Sequence, residues 1–140
     1  MIERFYLRDH FGFKEVELDL KRGIVVFSGP SGSGKTVLMN SILSSLGIES
    51  CEAALCESST NWRFDGSIFE LPDDDGAILK HIKKEKSRYF INNQAISKKD
   101  MSALSMQRIK HLSLRDFSDF ENTKLISLLD NKIAKTNKEI

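Results

Sequence analysis

Alternation is clearest at residues 15–20, where Val16, Leu18 and Leu20 interleave with Glu15, Glu17 and Asp19. A period of two predicts a half-buried β-strand. Upstream, Ile2, Phe5 and Leu7 stand among charged residues and predict a first strand over residues 2–9, with Phe11-Gly12-Phe13 as the bend between the two. The chain therefore opens with an antiparallel pair. Lys21-Arg22-Gly23 turns it into Ile24-Val25-Val26-Phe27, an apolar, β-branched run with the length of a buried strand. The period then changes: Val37, Leu38, Ile42, Leu43 and Leu46 recur at helical spacing, and Gly47 suits the C-terminal cap of that helix.

Further along, residues 51–57 fit a short strand or a helical turn equally well. Trp62-Arg63-Phe64 and residues 67–71 predict strands around Asp65-Gly66, a strong hairpin dipeptide. Residues 77–84 and 88–91 predict two more strands, and Asn92-Asn93, both tolerant of positive φ, a tight turn into Gln94-Ala95-Ile96. Ser97-Lys98-Lys99-Asp100 resembles a capping box and predicts a helix to about Gln107. Residues 109–114 are a strand candidate, and Ser118-Asp119-Phe120-Glu121 is a second capping-box candidate. Residues 122–140 read as helical, with Leu125, Leu128, Leu129 and Ile133 on one face and no stop signal.

Composition changes this picture little. The 140 residues, 40% hydrophobic and 29% charged, suit about one soluble domain, and a formal net charge of +1 gives no global pull toward nucleic acid or membrane. Two cysteines, Cys51 and Cys56, form no metal-like spacing and point to a reducing cytoplasm. His10, His81 and His111 are scattered and read as surface or structural residues. Asp73-Asp74-Asp75 reads as a solvated turn rather than a metal site. Five basic residues between Lys80 and Arg88 could touch phosphates, but an exposed strand face that blocks edge pairing is the plainer account.

Candidate chemistry sits between the apolar run and the first helix. Gly29-Pro30-Ser31-Gly32-Ser33-Gly34-Lys35-Thr36 fits G-x-x-x-x-G-K-[ST] at every position. The glycines let the loop curl and bring backbone N–H groups to an anion, helped by the positive end of the following helix. Lys35 is suited to the β- and γ-phosphates of ATP, and the Thr36 hydroxyl to Mg²⁺. A second metal-side acid and a group that orients water are harder to find. Residues 125–131 (LISLLDN) come nearest, but their apolar positions fit a helix better, and Asn131 stands where a catalytic Glu is wanted. No catalytic residue can therefore be assigned, and the chain reads as one lobe of a larger ATPase.

Taken together, these motifs resemble the N-terminal head segment of the RecN family of bacterial DNA-repair proteins, which are SMC-like, ABC-type P-loop ATPases. The resemblance rests on the opening strand through Phe11, the residue 24–36 loop, Ser87-Arg88-Tyr89-Phe90-Ile91-Asn92-Asn93 and Leu128-Leu129-Asp130. It implies an α/β fold: a P-loop NTPase head lobe of ABC/SMC type over residues 1–121 with an antiparallel β subdomain, then a helix over residues 122–140 leading toward a coiled-coil arm. It also implies ATP and Mg²⁺ as cofactors, a C-terminal lobe and a homodimer partner, and DNA bound by the complete protein in double-strand-break repair and recombination. Hydrolysis would need groups beyond Ile140. By the same resemblance, residues near His10 and Phe11 border the adenine or ribose. Ser113 stands where the family has a Q-loop Gln, which leaves the metal's second protein ligand open. The rival readings are a stand-alone P-loop kinase using Asp130 or one of Asp73 to Asp75, and a non-hydrolysing ATP- or DNA-binding module.

Overall fold

The chain is described from a computed structural model, which describes residues 1–64, 76–112 and 129–133. It divides into two compact units, Met1–Arg108 and Ile109–Ile140. In the first unit the strands are β1 (Ile2–His10), β2 (Phe13–Asp19), β3 (Leu55–Thr60), β4 (Ile78–Lys83), β5 (Ser87–Ile91) and β6 (Gln94–Ile96). The helices are α1 (Lys35–Ser45), which follows β2, and α2 (Lys98–Met106), which follows β6. The strands form one sheet in the order β2-β1-β3-β4-β5-β6, antiparallel at every pairing.

The predicted opening pair is present, with Leu7 opposite Val16 and Phe5 opposite Leu18. Its apolar positions are not spaced by two throughout, since Ile2 and Phe5 lie three apart. A register shift between Ile2 and Arg4, where β1 pairs with β3, absorbs the extra residue. Such a bulge returns both side chains to one face, and Ile2 packs against the core that Phe5 and Leu7 form. Ile42 and Leu38 of α1 join this core together with Ala53, Cys51 and Cys56. Phe5 and Leu7 are wholly buried, and each burial contributes roughly 1.5–3 kcal/mol.

The predicted turns hold where they depend on local chemistry. Asn92 and Asn93 both take positive φ, at 47° and 66°, between β5 and β6. The Ser97 hydroxyl accepts from the Asp100 backbone N–H at 3.1 Å and caps α2. Gly47 follows α1 with φ 77°, and its N–H donates to the Ser44 carbonyl at 3.1 Å. Residues 51–57, ambiguous in sequence, enter β3 from Leu55 onward.

Four expectations are corrected. Ile24-Val25-Val26-Phe27 form no strand and join no sheet of the described residues; Ile24 is 94% exposed and Val26 76%. Their composition favours a strand, but a strand exists only when a partner takes its N–H and C=O groups, and no described residue does so. Trp62-Arg63-Phe64 is not a strand either; Trp62 is buried and meets Phe64 edge-on at 6.3 Å between ring centres. Residues 109–112 carry no strand. Lastly, the basic segment from Lys80 guards no edge, because β4 lies inside the sheet between β3 and β5. Lys80 pairs with Glu57 at 3.5 Å across that neighbour. The Asp65-Gly66 hairpin, the strand predicted at residues 67–71, Asp73 to Asp75, Ser113, the second capping box and most of the predicted last helix lie outside the described residues. Residues 129–133 are helical with Asp130 exposed, so Asp130 does not end a buried strand as a metal-binding acid would.

Candidate functional site

The site begins with backbone conformation. Gly32 and Gly34 have φ values of 82° and 96°, in the left-handed region. At Gly34 a Cβ atom would also come within 2.8 Å of the Phe13 ring, so the loop closes against β2 only because this residue has no side chain. Gly34 is the N-cap of α1, and no side chain caps it. The amides of the first turn thus carry the helix's positive end with no side-chain acceptor at the cap. Lys35 and Thr36 open α1, and residues 28–33 are solvent-exposed.

The Lys35 ammonium folds back over its own loop. It donates to the Gly29 carbonyl and, at 2.9 Å, to the Pro30 carbonyl. The Ser33 N–H donates to the Pro30 carbonyl at 3.2 Å. These bonds tie Gly29, Pro30, Ser33 and Lys35 together, and the stretch from Gly29 to Thr36 offers backbone amides, one ammonium and the hydroxyls of Ser31, Ser33 and Thr36. That donor set fits a polyphosphate with a hard divalent cation, since N–H groups and an ammonium meet phosphate oxygens and a hydroxyl meets Mg²⁺. The turn of the first hairpin lies close by, as the Phe13–Gly34 approach shows. Within it Phe11 is 73% exposed, with φ 40°, and its ring lies 4.5 Å from that of the buried His10.

A second constellation escaped the sequence reading. Cys51, Cys56 and His81 are all buried, and one donor atom from each lies within 4.8 Å of the other two. The two sulfurs are 3.3 Å apart. Register brings the histidine in, for Cys56 on β3 stands opposite His81 on β4. The Ser44 hydroxyl, on α1, lies 3.0 Å from His81 Nδ1. The His81 ring stacks on Tyr89 with centres 4.7 Å apart. His81 Nε2 and the Tyr89 hydroxyl have no hydrogen-bond partner among the described residues. The hydrogen bond between the thiols holds Cys51 below the ordinary thiol range and, with burial, pushes Cys56 above it. Burial also raises the Tyr89 phenol. The only signal in sequence was a pair of cysteines five apart, and the third member depended on strand register.

A glycine-rich cradle on the N-terminus of a helix, beside a sheet, defines a P-loop nucleotide-binding protein of α/β class. The chain belongs to the AAA domain family, whose match covers residues 6–140. It is similar to the DNA repair protein RecN of Helicobacter pylori strain J99, at 35% identity over 98% of this chain and 27% of that protein. It is also similar to the RecN of Aquifex aeolicus, at 26% identity over 87% of this chain and 21% of that protein. The chain thus spans about a quarter of the relatives it matches. Among solved structures, one from work on ATP-driven dimerization and DNA-stimulated activation of SMC ATPases superposes with a TM-score of 0.61. That match has 19% identity and covers 92% of this chain and 97% of the other. An Smc head bound to the C-winged helix domain of ScpA gives a TM-score of 0.53 at 19% identity, over 73% of this chain and 38% of its own. At that identity the two structures bear on fold alone, and the fold is that of an SMC-type head lobe.

Proposed function

We propose that this chain is the ATP-binding lobe of a RecN-like, SMC-family ATPase that acts in DNA double-strand-break repair and recombination. The observation that carries the reading is the cradle of Gly29, Pro30, Ser31, Gly32, Ser33, Gly34, Lys35 and Thr36, in a chain 35% identical to a RecN over nearly its whole length. The loop amides and the first turn of α1 would hold the α- and β-phosphates of ATP. Lys35 would exchange its two loop carbonyls for phosphate oxygens, and Thr36 would ligate Mg²⁺. Bound Mg²⁺ would supply charge neutralisation at the β- and γ-phosphates. The exposed Phe11 ring, on the turn nearest the loop, would border the adenine or ribose.

Residues 1–121 form the lobe in this reading, and residues 122–140 begin a coiled-coil arm. Hydrolysis and DNA engagement belong to the complete protein, with a C-terminal lobe and a second head. Its place is the cytoplasm, on the nucleoid. No helix among the described residues is long and apolar enough to cross a membrane.

The test is calorimetric titration with Mg-ATP, paired with a phosphate-release assay. The chain is expected to bind without turnover, and Lys35→Ala to weaken binding at least about 10-fold, through loss of a charge-assisted phosphate contact. Turnover by the isolated chain would favour a self-sufficient kinase or phosphotransferase. Salt-sensitive DNA binding that survives Lys35→Ala, without ATP binding, would favour a DNA-binding module.

A further inference from the structure

We propose that Cys51, Cys56 and His81 form a buried zinc site that fastens the P-loop helix to the sheet. Three observations carry this, all independent of nucleotide binding. The three donors converge within 4.8 Å although they come from the segment before β3, from β3 and from β4. Their chemistry is two sulfurs and an imidazole nitrogen, donor types that Zn²⁺ takes, here three of its usual four. The third observation is an unmet bonding need: His81 is fully buried, yet its Nε2 has no partner among the described residues. Buried polar nitrogens are rarely left so.

The surroundings suit a metal better than an empty polar pocket. Ser44 Oγ lies at Nδ1, the arrangement in which an oxygen holds a ligating histidine's ring in orientation. Two thiolates and a neutral imidazole balance Zn²⁺ to zero net charge, so the filled site can sit in the core without an uncompensated charge. A monovalent Cu⁺ would leave one negative charge buried. Cys51, 9% exposed, is the opening through which the ion would enter. Three protein donors leave a fourth position for water. Loading is balanced as two thiols plus Zn²⁺ giving a zinc dithiolate and two protons, so affinity falls as pH falls. Ser44 lies on the same helix as Lys35, and the site therefore ties the far end of α1 to β3 and β4.

The reduced, metal-stripped 140-residue chain is titrated with Co²⁺ and then Zn²⁺. One equivalent of Co²⁺ is expected to produce a thiolate-to-metal charge-transfer band, displaced by Zn²⁺. Cys56→Ser and His81→Gln are expected to lower affinity at least about 100-fold, the upper end of losses seen when only supporting groups are changed. Because those variants alter the core, a second measurement uses the unaltered chain: Zn²⁺ should slow alkylation of Cys51 at least 10-fold. The proposal is overturned if the folded, reduced chain takes up less than a tenth of an equivalent. It is equally overturned if Cys51→Ser and His81→Gln bind metal like the parent. Isolation of a Cys51–Cys56 disulfide whose reduced form binds no metal would assign the pair to thiol redox chemistry instead.

Discussion

At the scale of single residues, two glycines set limits that no other residue meets. Gly76 has φ 99°, and a Cβ there would lie 1.9 Å from the Thr60 carbonyl oxygen, which accepts from the Ala77 N–H at 3.2 Å. Gly76→Ala would push apart the start of β4 and the end of β3, with backbone strain added. It is expected to cost at least about 3 kcal/mol, read as a lower urea midpoint. Gly34→Ala faces the Phe13 ring rather than backbone, and a ring can turn. It is expected to cost about 1–2 kcal/mol in stability but to weaken Mg-ATP binding much more, because the first amides of α1 would be re-aimed. Ser97→Ala removes the α2 cap, and about 1 kcal/mol should be lost in the same unfolding assay.

Among the elements, α1 shows what hydrophobic patterning leaves out. Its second half is buried through Ser41, Ser44 and Ser45 as well as Ile42 and Leu43. Ser45 Oγ lies 2.6 Å from Ser58 Oγ on β3. The Ser45 hydroxyl also donates to the Ile42 carbonyl at 2.6 Å, so Ser58→Ala leaves it partnered, whereas Ser45→Ala orphans the Ser58 hydroxyl and should cost about 1–3 kcal/mol; the double substitution should cost less than the sum of the two. A double-mutant cycle by thermal unfolding measures that coupling. The same chemistry explains why β3 was ambiguous in sequence. Its inward residues are Cys56, Ser58 and Thr60, which alternate correctly, but two of the three carry hydroxyls. The β1–β2 pair, the asparagine turn and the α2 cap were legible because each is written in neighbouring residues. The P-loop is written as a motif in eight consecutive residues, and its role rests on the proposal above. The Cys51–Cys56–His81 cluster was not, because only the pairing of β3 with β4 brings residues 56 and 81 together. Residues 24–28 mark the opposite failure: a strand composition cannot create the partner that makes a strand.

For the whole molecule, a segment that pairs with no described strand bears on association between chains. Ile24, Val25 and Val26 present a β-branched, apolar stretch beside the nucleotide loop, and such stretches promote association between chains. Val26→Lys is expected to suppress light scattering at high protein concentration while changing the urea midpoint by no more than about 0.5 kcal/mol, since the side chain is exposed. The order of strands has a further consequence, for the sequence of events in folding. β4, β5 and β6 are consecutive in the chain and adjacent in the sheet, so their closure spans only short loops. β1 must instead find β3 across β2, the P-loop and α1, a search with a larger entropic cost. Pulse-labelled hydrogen exchange during refolding should protect the amides of Tyr89 and Ile91 before those of Phe5 and Leu7. The nucleotide loop would then be the last part to acquire its shape, fixed only when the first hairpin docks on a sheet already begun from the other side.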